Sequence, residues 1–374
     1  MTVRVRDDLL NLQPYDPDMR DVDVMLSANE NAYGLPEAVR AEIARRVAEV
    51  PAHRYPEATS RTLRALLGEL WGVSPRNVVV GNGGDELIFN LLLAFGGPER
   101  TVVVCPPTFS AYELYAQLTG TQVVNVRRTD DFSLDEGAVL AAVAQAELVF
   151  LTSPNNPSGN LLRPEFVRSL ATSTDALIVV DEAYAEFAPD EASCIPLALE
   201  LPNVCVLRTL SKAYALAGAR LGYVIGSDAV VDALLAVRQP YSVSRFDQAA
   251  AETVVEMHEL LEPAVAALIE NRVELEASLA SLAADLEAQM GRPVMRVYPS
   301  SANFVLVRFS VNDPSLPSAH AIHEALASDY SVLVRDFSST PGLAGCLRLT
   351  VGTPAENDRL LAALRGVLLT TKEA

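Results

Sequence analysis

The sequence predicts an α/β fold, with a mainly parallel central sheet flanked by helices and a small α/β domain towards the C-terminus. Two observations indicate this fold. Short apolar segments rich in β-branched residues alternate with segments of helical periodicity over residues 77–225, and beyond Pro240 the stretch 245–290 is almost continuously helical in composition. The strand candidates of the alternating part lie at 77–80, 101–105, 121–126, 148–152, 176–181, 203–207 and 221–225.

The order of these elements divides the 374-residue chain into three parts. Residues 1–35 show little periodicity and predict an extended arm, residues 36–262 a large domain, and residues 263–374 a small domain. We interpret 245–290, which Pro263 interrupts, as a long helix that bridges the two domains. Further candidates are helices at 36–50, 60–71 (capped by Ser60), 317–328 and 354–369, and strands at 303–308, 332–335 and 346–351.

The connection between the strand candidates 203–207 and 221–225 is too short to hold a crossover helix. Parallel neighbours need such a crossover, whereas antiparallel neighbours do not. We therefore expect one strand of the large sheet to run antiparallel.

Charge and composition narrow the classes of partner. The net charge is −19 and no block of lysine or arginine breaks the acidic balance, which disfavours nucleic acid and anionic membranes as partners. Residues 1–8 lack the apolar core of a signal peptide, and no apolar run approaches the roughly 20 residues of a membrane helix. We expect a cytoplasmic protein that acts on small molecules.

The cysteines and histidines do not form a ligand pattern. Cys105, Cys194, Cys205 and Cys346 are scattered without paired spacing, so we expect buried reduced thiols rather than zinc ligands or disulfides. His320 and His323 share a predicted helix face without a third ligand type nearby, and we expect both to be solvated. No metal site is predicted.

One lysine follows a predicted strand in a context that suggests covalent chemistry. Lys212 lies just beyond the strand candidate 203–207, at the edge where open α/β sheets bind ligands. Thr209 and Ser211 offer hydroxyls and Arg220 a fixed cation, a set that suits a phosphate, while the lysine amine can form a Schiff base. Because most lysines are solvated surface charges, the other strand ends decide whether this pattern indicates pyridoxal phosphate.

Two other strand ends offer a phosphate-binding turn and an aromatic ring. The segment 81–86 is glycine-rich and opens a helix, so the backbone N–H groups of Gly83 and Gly84 can approach a phosphate. Glu86 stands where a dinucleotide fold needs a small residue, which disfavours that fold. Phe109 follows the next strand and is equally compatible with stacking on a planar cofactor and with an ordinary core position.

The next two strand ends carry polar groups. Asn156 lies in a proline-fixed turn and can donate to a phenolate oxygen, although a simple polar turn would look the same. Asp181 ends a buried strand, where an unpaired carboxylate is costly, so it needs a cationic partner such as a protonated pyridine nitrogen. Tyr184, three residues later, can reach the hydroxyl of the same ring.

At this point the sequence resembles a known family. The chain is similar to the fold-type I, class II pyridoxal-phosphate aminotransferases, and to histidinol-phosphate aminotransferases in particular, from about residue 15 to residue 352. The motifs that carry the resemblance are Asn29-Glu-Asn-Ala-Tyr-Gly34, Arg54-Tyr-Pro56, Gly83-Gly-Asp-Glu86, Pro154-Asn-Asn-Pro-Ser-Gly159, Asp181-Glu-Ala-Tyr184, Arg208-Thr-Leu-Ser-Lys-Ala213 with Arg220, Val334-Arg-Asp336 and Gly345-Cys-Leu-Arg-Leu-Thr-Val-Gly352.

The resemblance implies a role for each matching residue. Lys212 would bind the cofactor covalently and move the proton of the substrate Cα, Asp181 would pair with the pyridine nitrogen, and Tyr184 would act with them. The cofactor-binding set implied is Lys212, Gly83, Gly84, Asp85, Phe109, Asn156, Asp181, Tyr184, Thr209, Ser211, Arg220 and, across a homodimer interface, Tyr55. The arm would pack on the small domain and at that interface.

The resemblance also implies how an amino donor and a 2-oxo acid acceptor would bind. Arg348 would clamp the carboxylate of glutamate, and Arg335 would supply a second cation for the phosphate of histidinol phosphate, which lacks that carboxylate. Asn31 and Tyr15 of the arm, with Tyr55, would complete the substrate site.

The departures from the family pattern are small. Ala32 replaces a common proline, Ser158 a threonine and Phe109 a frequent tyrosine, and none of these changes removes a catalytic group. The missing tyrosine hydroxyl at position 109 leaves the substrate preference open. The alternatives are an aromatic amino-acid aminotransferase, a phosphothreonine-type decarboxylase on the same scaffold, and a non-catalytic cofactor-binding regulator. The last would need an attached DNA-binding segment, which the arm does not offer.

Overall fold

A computed structural model describes residues 3–10, 12, 18–311, 313 and 315–370. The strands in these ranges are β1 (Val24–Leu26), β2 (Val78–Asn82), β3 (Thr101–Val104), β4 (Gln122–Asn125), β5 (Leu148–Thr152), β6 (Leu177–Asp181), β7 (Val204–Thr209), β8 (Leu221–Gly226), β9 (Met295–Tyr298), β10 (Phe304–Phe309), β11 (Val332–Asp336) and β12 (Cys346–Thr350). The helices are α1 (Glu37–Glu49), α2 (Arg61–Trp71), α3 (Gly83–Phe95), α4 (Ala111–Thr119), α5 (Glu136–Val143), α6 (Pro164–Ser173), α7 (Ile195–Glu200), α8 (Asp228–Val237), α9 (Arg245–Glu256), α10 (Glu262–Met290), α11 (Ala319–Tyr330) and α12 (Pro354–Thr370).

The large sheet has seven strands in the order β2-β8-β7-β6-β5-β3-β4. The strands β3 to β7 are parallel to their neighbours within that group, whereas β8 is antiparallel to both β2 and β7. All residues of β5, β6, β7 and β8 are buried, because helices cover both faces of the sheet. The mainly parallel sheet and its antiparallel strand are therefore confirmed, and the carboxyl ends of the parallel strands meet at one edge.

Helices on the two faces of this sheet form two apolar layers. On one face α3, α4 and α8 pack through buried residues such as Leu91, Tyr112 and Leu234. The core of the opposite face is larger and continues into the second sheet, where Phe304 and Leu349 belong to the same cluster. Because the two sheets pack against this shared core, the carboxyl edge of the large sheet has a fixed position relative to the small sheet.

The small sheet has five strands in the order β1-β11-β12-β10-β9. Its edge strand β1 comes from the predicted arm and pairs parallel to β11, with Val24 opposite Val332. The strands β1 and β9 were not predicted, since segments of three and four residues are too short for a periodic pattern to stand out. The arm thus enters the small sheet, and residues 27–35 then continue towards the large domain.

The stretch predicted as one bridging helix consists of two helices. The first, α9, ends at Glu256 and a 3₁₀ turn over His258–Leu260 separates it from α10. Pro263 occupies the first turn of α10, where the missing N–H removes no helical hydrogen bond. The interruption lies where proline indicated it, but it is a change of helix rather than a kink.

The predicted capping role of Ser60 is wrong. Ser60 has a left-handed backbone (φ +50°) and its side chain makes no capping hydrogen bond at the start of α2. The carboxylate of Glu57 instead accepts from the backbone N–H of Arg61 at 2.5 Å. A longer side chain one turn earlier satisfies the helix terminus, and the residue at the boundary is left free to make the turn.

The expectation for His323 is also wrong, whereas His320 is exposed as predicted, with 68% of its side chain accessible. His323 is buried in α11 beneath the segment that contains Asp18 and Arg20, and its Nε2 lies 3.2 Å from Arg20 Nη2. Asp18, His323 and Glu324 could geometrically share a cation. The Arg20 guanidinium already pairs with both carboxylates, at 2.5 and 2.9 Å, so we interpret the group as an ion-pair cluster.

The four cysteines are buried free thiols, as predicted. Burial raises the pKa of Cys105 to about 11 and that of Cys194 to about 12, which keeps both protonated and unreactive at neutral pH. Within the described ranges, none of the helices has both the length and the apolar character that crossing a membrane requires.

Candidate active site

Most of the predicted site residues gather where the carboxyl edge of the large sheet meets the small sheet. Three hydrogen bonds join the parts of the chain there. Lys212 Nζ donates to Ala28 O at 2.8 Å, Asn29 Nδ2 donates to Tyr184 Oη at 3.0 Å, and Arg348 Nη1 donates to Asn156 Oδ1 at 2.6 Å. The segment that follows β1 therefore crosses the edge of the large sheet, and both domains contribute groups to one cleft.

Lys212 is half-buried beneath this crossing segment. Its Nζ lies 5.9 Å from the centre of the Tyr184 ring. Loss of solvent lowers the pKa of Lys212 to about 8, and the nearby Arg348 guanidinium lowers it further than the carboxylate of Glu30 restores it. A sizeable fraction of the amine is therefore neutral near physiological pH, which is the form that can attack a carbonyl group.

Asp181 is a buried carboxylate at the end of β6. Its Oδ2 accepts from Tyr112 Oη at 2.6 Å and its Oδ1 from the backbone N–H of Ala183 at 3.1 Å. Burial raises the pKa of Asp181 to about 6, and these two hydrogen bonds oppose the rise. Among the described residues no arginine or lysine forms an ion pair with it, so the carboxylate fits a ligand that brings its own positive charge, as a pyridinium does.

The start of α3 lies against Arg220 and has a backbone conformation that favours glycine. Gly83 has φ +78°, and a Cβ on it would lie 2.9 Å from Arg220 Nη2. That guanidinium is fixed by Asp85, whose Oδ2 is 3.0 Å away. The hydroxyl of Ser211 lies 3.5 Å from Arg220 Nη1 and 3.0 Å from that of Thr209. Hydroxyls, a guanidinium and a helix N-terminus thus surround one point, an arrangement that suits a phosphate.

Asp85 was predicted as a cofactor ligand, and its Oδ2 accepts a hydrogen bond from Arg220 Nη2. Gly84 follows Gly83 in the first turn of the same helix, where its N–H has no helical partner. The two glycines would allow a close approach of a phosphate, and the Asp85 carboxylate orients the Arg220 guanidinium.

Tyr184 and Asn156 each accept a hydrogen bond from a residue outside the large sheet, Tyr184 from Asn29 and Asn156 from Arg348. The buried Tyr184 hydroxyl accepts from Asn29, whose own Oδ1 accepts from Thr350 Oγ1 at 3.0 Å. Asn29 was quoted in the sequence motif but was not assigned a role. Its left-handed backbone (φ +54°) and complete burial are the signals of a constrained position, and neither is visible in a sequence.

The two predicted substrate arginines are neighbours on the small sheet. Arg335 of β11 and Arg348 of β12 are directly opposite each other in the antiparallel register and share a face. Arg348 is buried, donates to Ser27 O at 2.6 Å, and lies 5.4 Å from the centres of the Phe304 and Phe337 rings. Two arginines on one face of the sheet, backed by aromatic rings, suit an anion.

The remaining predicted residues are placed less uniformly. Phe109 is half-buried and its ring packs edge-on to Tyr112 at 5.7 Å, and Asn31 Nδ2 donates to Ala213 O at 3.0 Å, next to Lys212. Tyr55 is 76% exposed and stacks on Tyr241 at 4.7 Å, so it is not part of the cleft of its own chain. Tyr15 lies outside the described residues.

A buried ion cluster behind the cleft was not predicted. Arg208, the residue before Thr209, pairs with Glu182 at 2.6 Å and with Glu186 at 3.1 Å, and its guanidinium lies 4.5 Å above the Trp71 ring. The available signal was an arginine at the end of an apolar strand and a glutamate directly after Asp181. Side chains alternate along a strand, so Glu182 and Arg208 point away from the cleft while their neighbours Asp181 and Thr209 point into it.

The chain is similar to known proteins over nearly its whole length. The profile of the family "Aminotransferase class I and II" matches residues 22–364. The histidinol-phosphate aminotransferase 1 of Carboxydothermus hydrogenoformans is 39% identical over 359 residues, which cover 96% of each chain. The histidinol-phosphate aminotransferase of Thermococcus gammatolerans is 38% identical over 358 residues, which cover 96% of this chain and 95% of the relative. The crystal structure of histidinol-phosphate aminotransferase from Sinorhizobium meliloti in complex with pyridoxal-5'-phosphate superposes with a TM-score of 0.83 at 29% identity, covering 94% of this chain and 92% of that one.

Proposed function

The chain belongs to the class I and II aminotransferase family, and from that premise we propose that it transfers an amino group from L-histidinol phosphate to 2-oxoglutarate. The products are imidazole acetol phosphate and L-glutamate, a step of histidine biosynthesis. The observation that carries the proposal is that one cleft holds two groups, Lys212 and Asp181. Lys212 is a half-buried lysine of lowered pKa, and Asp181 is a buried carboxylate that has no cationic partner among the described residues. Near-full-length similarity to two histidinol-phosphate aminotransferases supports the substrate.

The cofactor is pyridoxal phosphate, which when bound supplies an electrophilic carbonyl and an electron-withdrawing ring. Asp181 would hold the ring nitrogen, Tyr184 and Asn156 the ring hydroxyl, and Phe109 one face of the ring. Gly83 and Gly84, with the hydroxyls of Thr209 and Ser211 and the Arg220 guanidinium, would hold the phosphate. These groups lie at one sheet edge, and a Cβ on Gly83 would lie 2.9 Å from Arg220 Nη2.

Lys212 would perform the proton transfer. Its Nζ would accept the proton from the Cα of the amino donor and deliver it to the reacting carbon of the cofactor. The lowered pKa supports this role, because a base works best when its pKa is near the ambient pH. Ala28 O, 2.8 Å from Nζ, restricts the directions in which the amine can point.

The adjacent guanidiniums would bind both substrates in turn. Arg348 would hold the carboxylate of glutamate or 2-oxoglutarate in a bidentate manner, and Arg335 would add the second cation that a phosphate needs. Asn31, held against Ala213, would close the substrate side of the cleft. Tyr15 is proposed for the same side on the strength of the sequence resemblance alone.

We also propose a homodimer with shared sites. Tyr55, Tyr241 and Phe246 are large aromatic residues that are each more than 40% exposed, and such a group is typical of a protein contact. Across that contact Tyr55 would reach the cofactor phosphate of the other protomer. Mixed dimers of a Lys212→Ala chain and a Tyr55→Phe chain would then contain one intact site, and activity above that of either variant alone would support the arrangement.

An aromatic amino-acid aminotransferase is the second candidate, favoured by the Phe304 and Phe337 rings beside Arg348. Steady-state turnover of histidinol phosphate, phenylalanine and phosphothreonine, each with and without 2-oxoglutarate, distinguishes the candidates. The proposal predicts turnover of histidinol phosphate only in the presence of the oxo acid. Inert histidinol phosphate with rapid phenylalanine transamination would favour the second candidate, and oxo-acid-independent release of carbon dioxide from phosphothreonine would favour a decarboxylase.

A further inference from the structure

The hydroxyl of Tyr112 is completely buried between two groups of the cleft. It lies 2.6 Å from Asp181 Oδ2 and 2.9 Å from Thr152 Oγ1. The ring is stacked on Phe150, with centres 4.6 Å apart and planes 8° apart, and meets Phe109 edge-on. The position of the hydroxyl is therefore fixed from both sides of the ring.

The surrounding hydrogen bonds determine where the Tyr112 proton points. The amide nitrogen of Asn155 donates to Pro107 O and to Ser158 Oγ, so its Oδ1 is the acceptor and receives the proton of Thr108 Oγ1 at 2.7 Å. The remaining hydroxyl proton, that of Thr152, goes either to Thr108 or to Tyr112, because it is within 3.1 Å of both oxygens.

An ionised carboxylate can only accept hydrogen bonds, so in both arrangements the Tyr112 proton is donated to Asp181. Burial, together with the neighbouring negative charge of Asp181, raises the pKa of Tyr112 well above its usual value. The phenol therefore remains a donor at all physiological pH values.

Two donors from different elements fix the plane of the Asp181 carboxylate. Tyr112 of α4 binds Oδ2, and the backbone N–H of Ala183, just beyond β6, binds Oδ1. Each oxygen keeps one lone pair, and these lone pairs are available for a cationic ligand. Replacing the Tyr112 hydroxyl by hydrogen would leave Oδ2 without that donor in a buried environment, which favours the neutral carboxylic acid.

We propose that Tyr112 is a positioning residue, which keeps Asp181 ionised and oriented towards the ring nitrogen of the cofactor. The inference rests on the proposed use of pyridoxal phosphate and adds a residue to it. Tyr112 itself does not touch the ring nitrogen; it acts through Asp181, and through Phe109 it also supports the ring-stacking position.

The test compares two ligands on the apoprotein. One is pyridoxal phosphate, and the other is its analogue in which C–H replaces the ring nitrogen. In Tyr112→Phe, the dissociation constant of pyridoxal phosphate should rise roughly 10- to 100-fold, the range for one hydrogen bond to a charged group, whereas that of the analogue should change by less than about threefold. Tyr223→Phe is the matched control. It removes a buried hydroxyl that accepts from Trp71 Nε1 at 2.8 Å and has no hydrogen bond to Asp181. This variant should leave the ratio of the two dissociation constants unchanged.

A second measurement separates positioning from packing. In an Asp181→Asn background, Tyr112→Phe should cause no further loss of pyridoxal phosphate affinity, and circular dichroism of the apoprotein checks that each variant is folded. If Tyr112→Phe leaves the ratio of the two dissociation constants unchanged, including by weakening the binding of both ligands equally, the positioning role is overturned and the proposed function stays intact. Failure of the wild-type apoprotein to bind pyridoxal phosphate would overturn the cofactor assignment and this inference with it.

Discussion

Replacing the lysine of the cleft should make the apoprotein more stable at neutral pH. The pKa of Lys212 is about 8 in the folded chain, against an ordinary value of 10.5 for an exposed lysine. Between these two values the unfolded chain holds a proton that the folded chain has lost, so the free energy of unfolding rises with pH by about 1.4 kcal/mol per unit. Below pH 8 the wild-type protein carries the whole penalty, and above pH 10.5 it carries none.

The size of the effect follows from the same two values. A difference of 2.5 pKa units corresponds to about 3 kcal/mol, and since the lysine is only half-buried, we expect about 2 kcal/mol. Lys212→Met keeps most of the length of the side chain and removes the charge. At pH 7 this variant should be more stable than the wild type by that amount, even though it cannot bind the cofactor covalently.

Urea unfolding of the two apoproteins from pH 7 to pH 11 measures this directly. Tyrosines and cysteines that are buried in the folded chain titrate in this range once the chain is unfolded, but they contribute equally to both proteins and cancel in the difference. The advantage of Lys212→Met should shrink between pH 8 and pH 10.5 and then stay constant. A difference that does not depend on pH, or a variant that is less stable at pH 7, would refute the assignment of a desolvated lysine.

Three further predictions concern the surroundings of the lysine. Gly83→Ala places a methyl group 2.9 Å from Arg220 Nη2 at a φ of +78°. It should lower the free energy of unfolding in urea by about 1–2 kcal/mol and weaken pyridoxal phosphate binding about tenfold in a fluorescence titration. Unchanged affinity would contradict the phosphate assignment. Arg208→Met leaves two buried carboxylates without their cation, and should lower the free energy of unfolding by about 3–5 kcal/mol; a loss below about 1 kcal/mol would show that the ion cluster is dispensable. Arg335→Gln should raise the KM for histidinol phosphate at least tenfold while the KM for phenylalanine changes little, because one lost charged contact is worth about 1.5–3 kcal/mol. Arg296→Gln on β9 is the control. Equal effects on the two substrates would argue against a phosphate contact.

Elements with a strong local pattern could be predicted from the sequence. The buried strands of the large sheet were predicted to within two residues at every end, because their apolar runs are continuous and flanked by turn residues. The antiparallel position of β8 followed from the length of one connection. Lys212, Asp181, Gly83 and Arg220 could be selected because strand ends converge at one edge of such a sheet.

Features that depend on which segments meet in three dimensions could not be predicted. His323 is buried by the segment around Asp18, more than 300 positions away in the chain, and no local period indicates that contact. Asn29 and Tyr112 likewise acquire their roles from partners in other elements, Tyr184 and Asp181. The strand β1 is too short to show alternation, and only its pairing with β11 defines it as a strand.

The most direct test of the account is the first half-reaction, measured by absorbance on the purified holoprotein with histidinol phosphate and no oxo acid. The account predicts that one equivalent of donor converts the visible absorbance of the lysine-bound cofactor into that of its amine form, that 2-oxoglutarate restores the original spectrum, and that Lys212→Ala shows neither change. Conversion by Lys212→Ala at the wild-type rate, or a wild-type spectrum that histidinol phosphate does not alter, would contradict it.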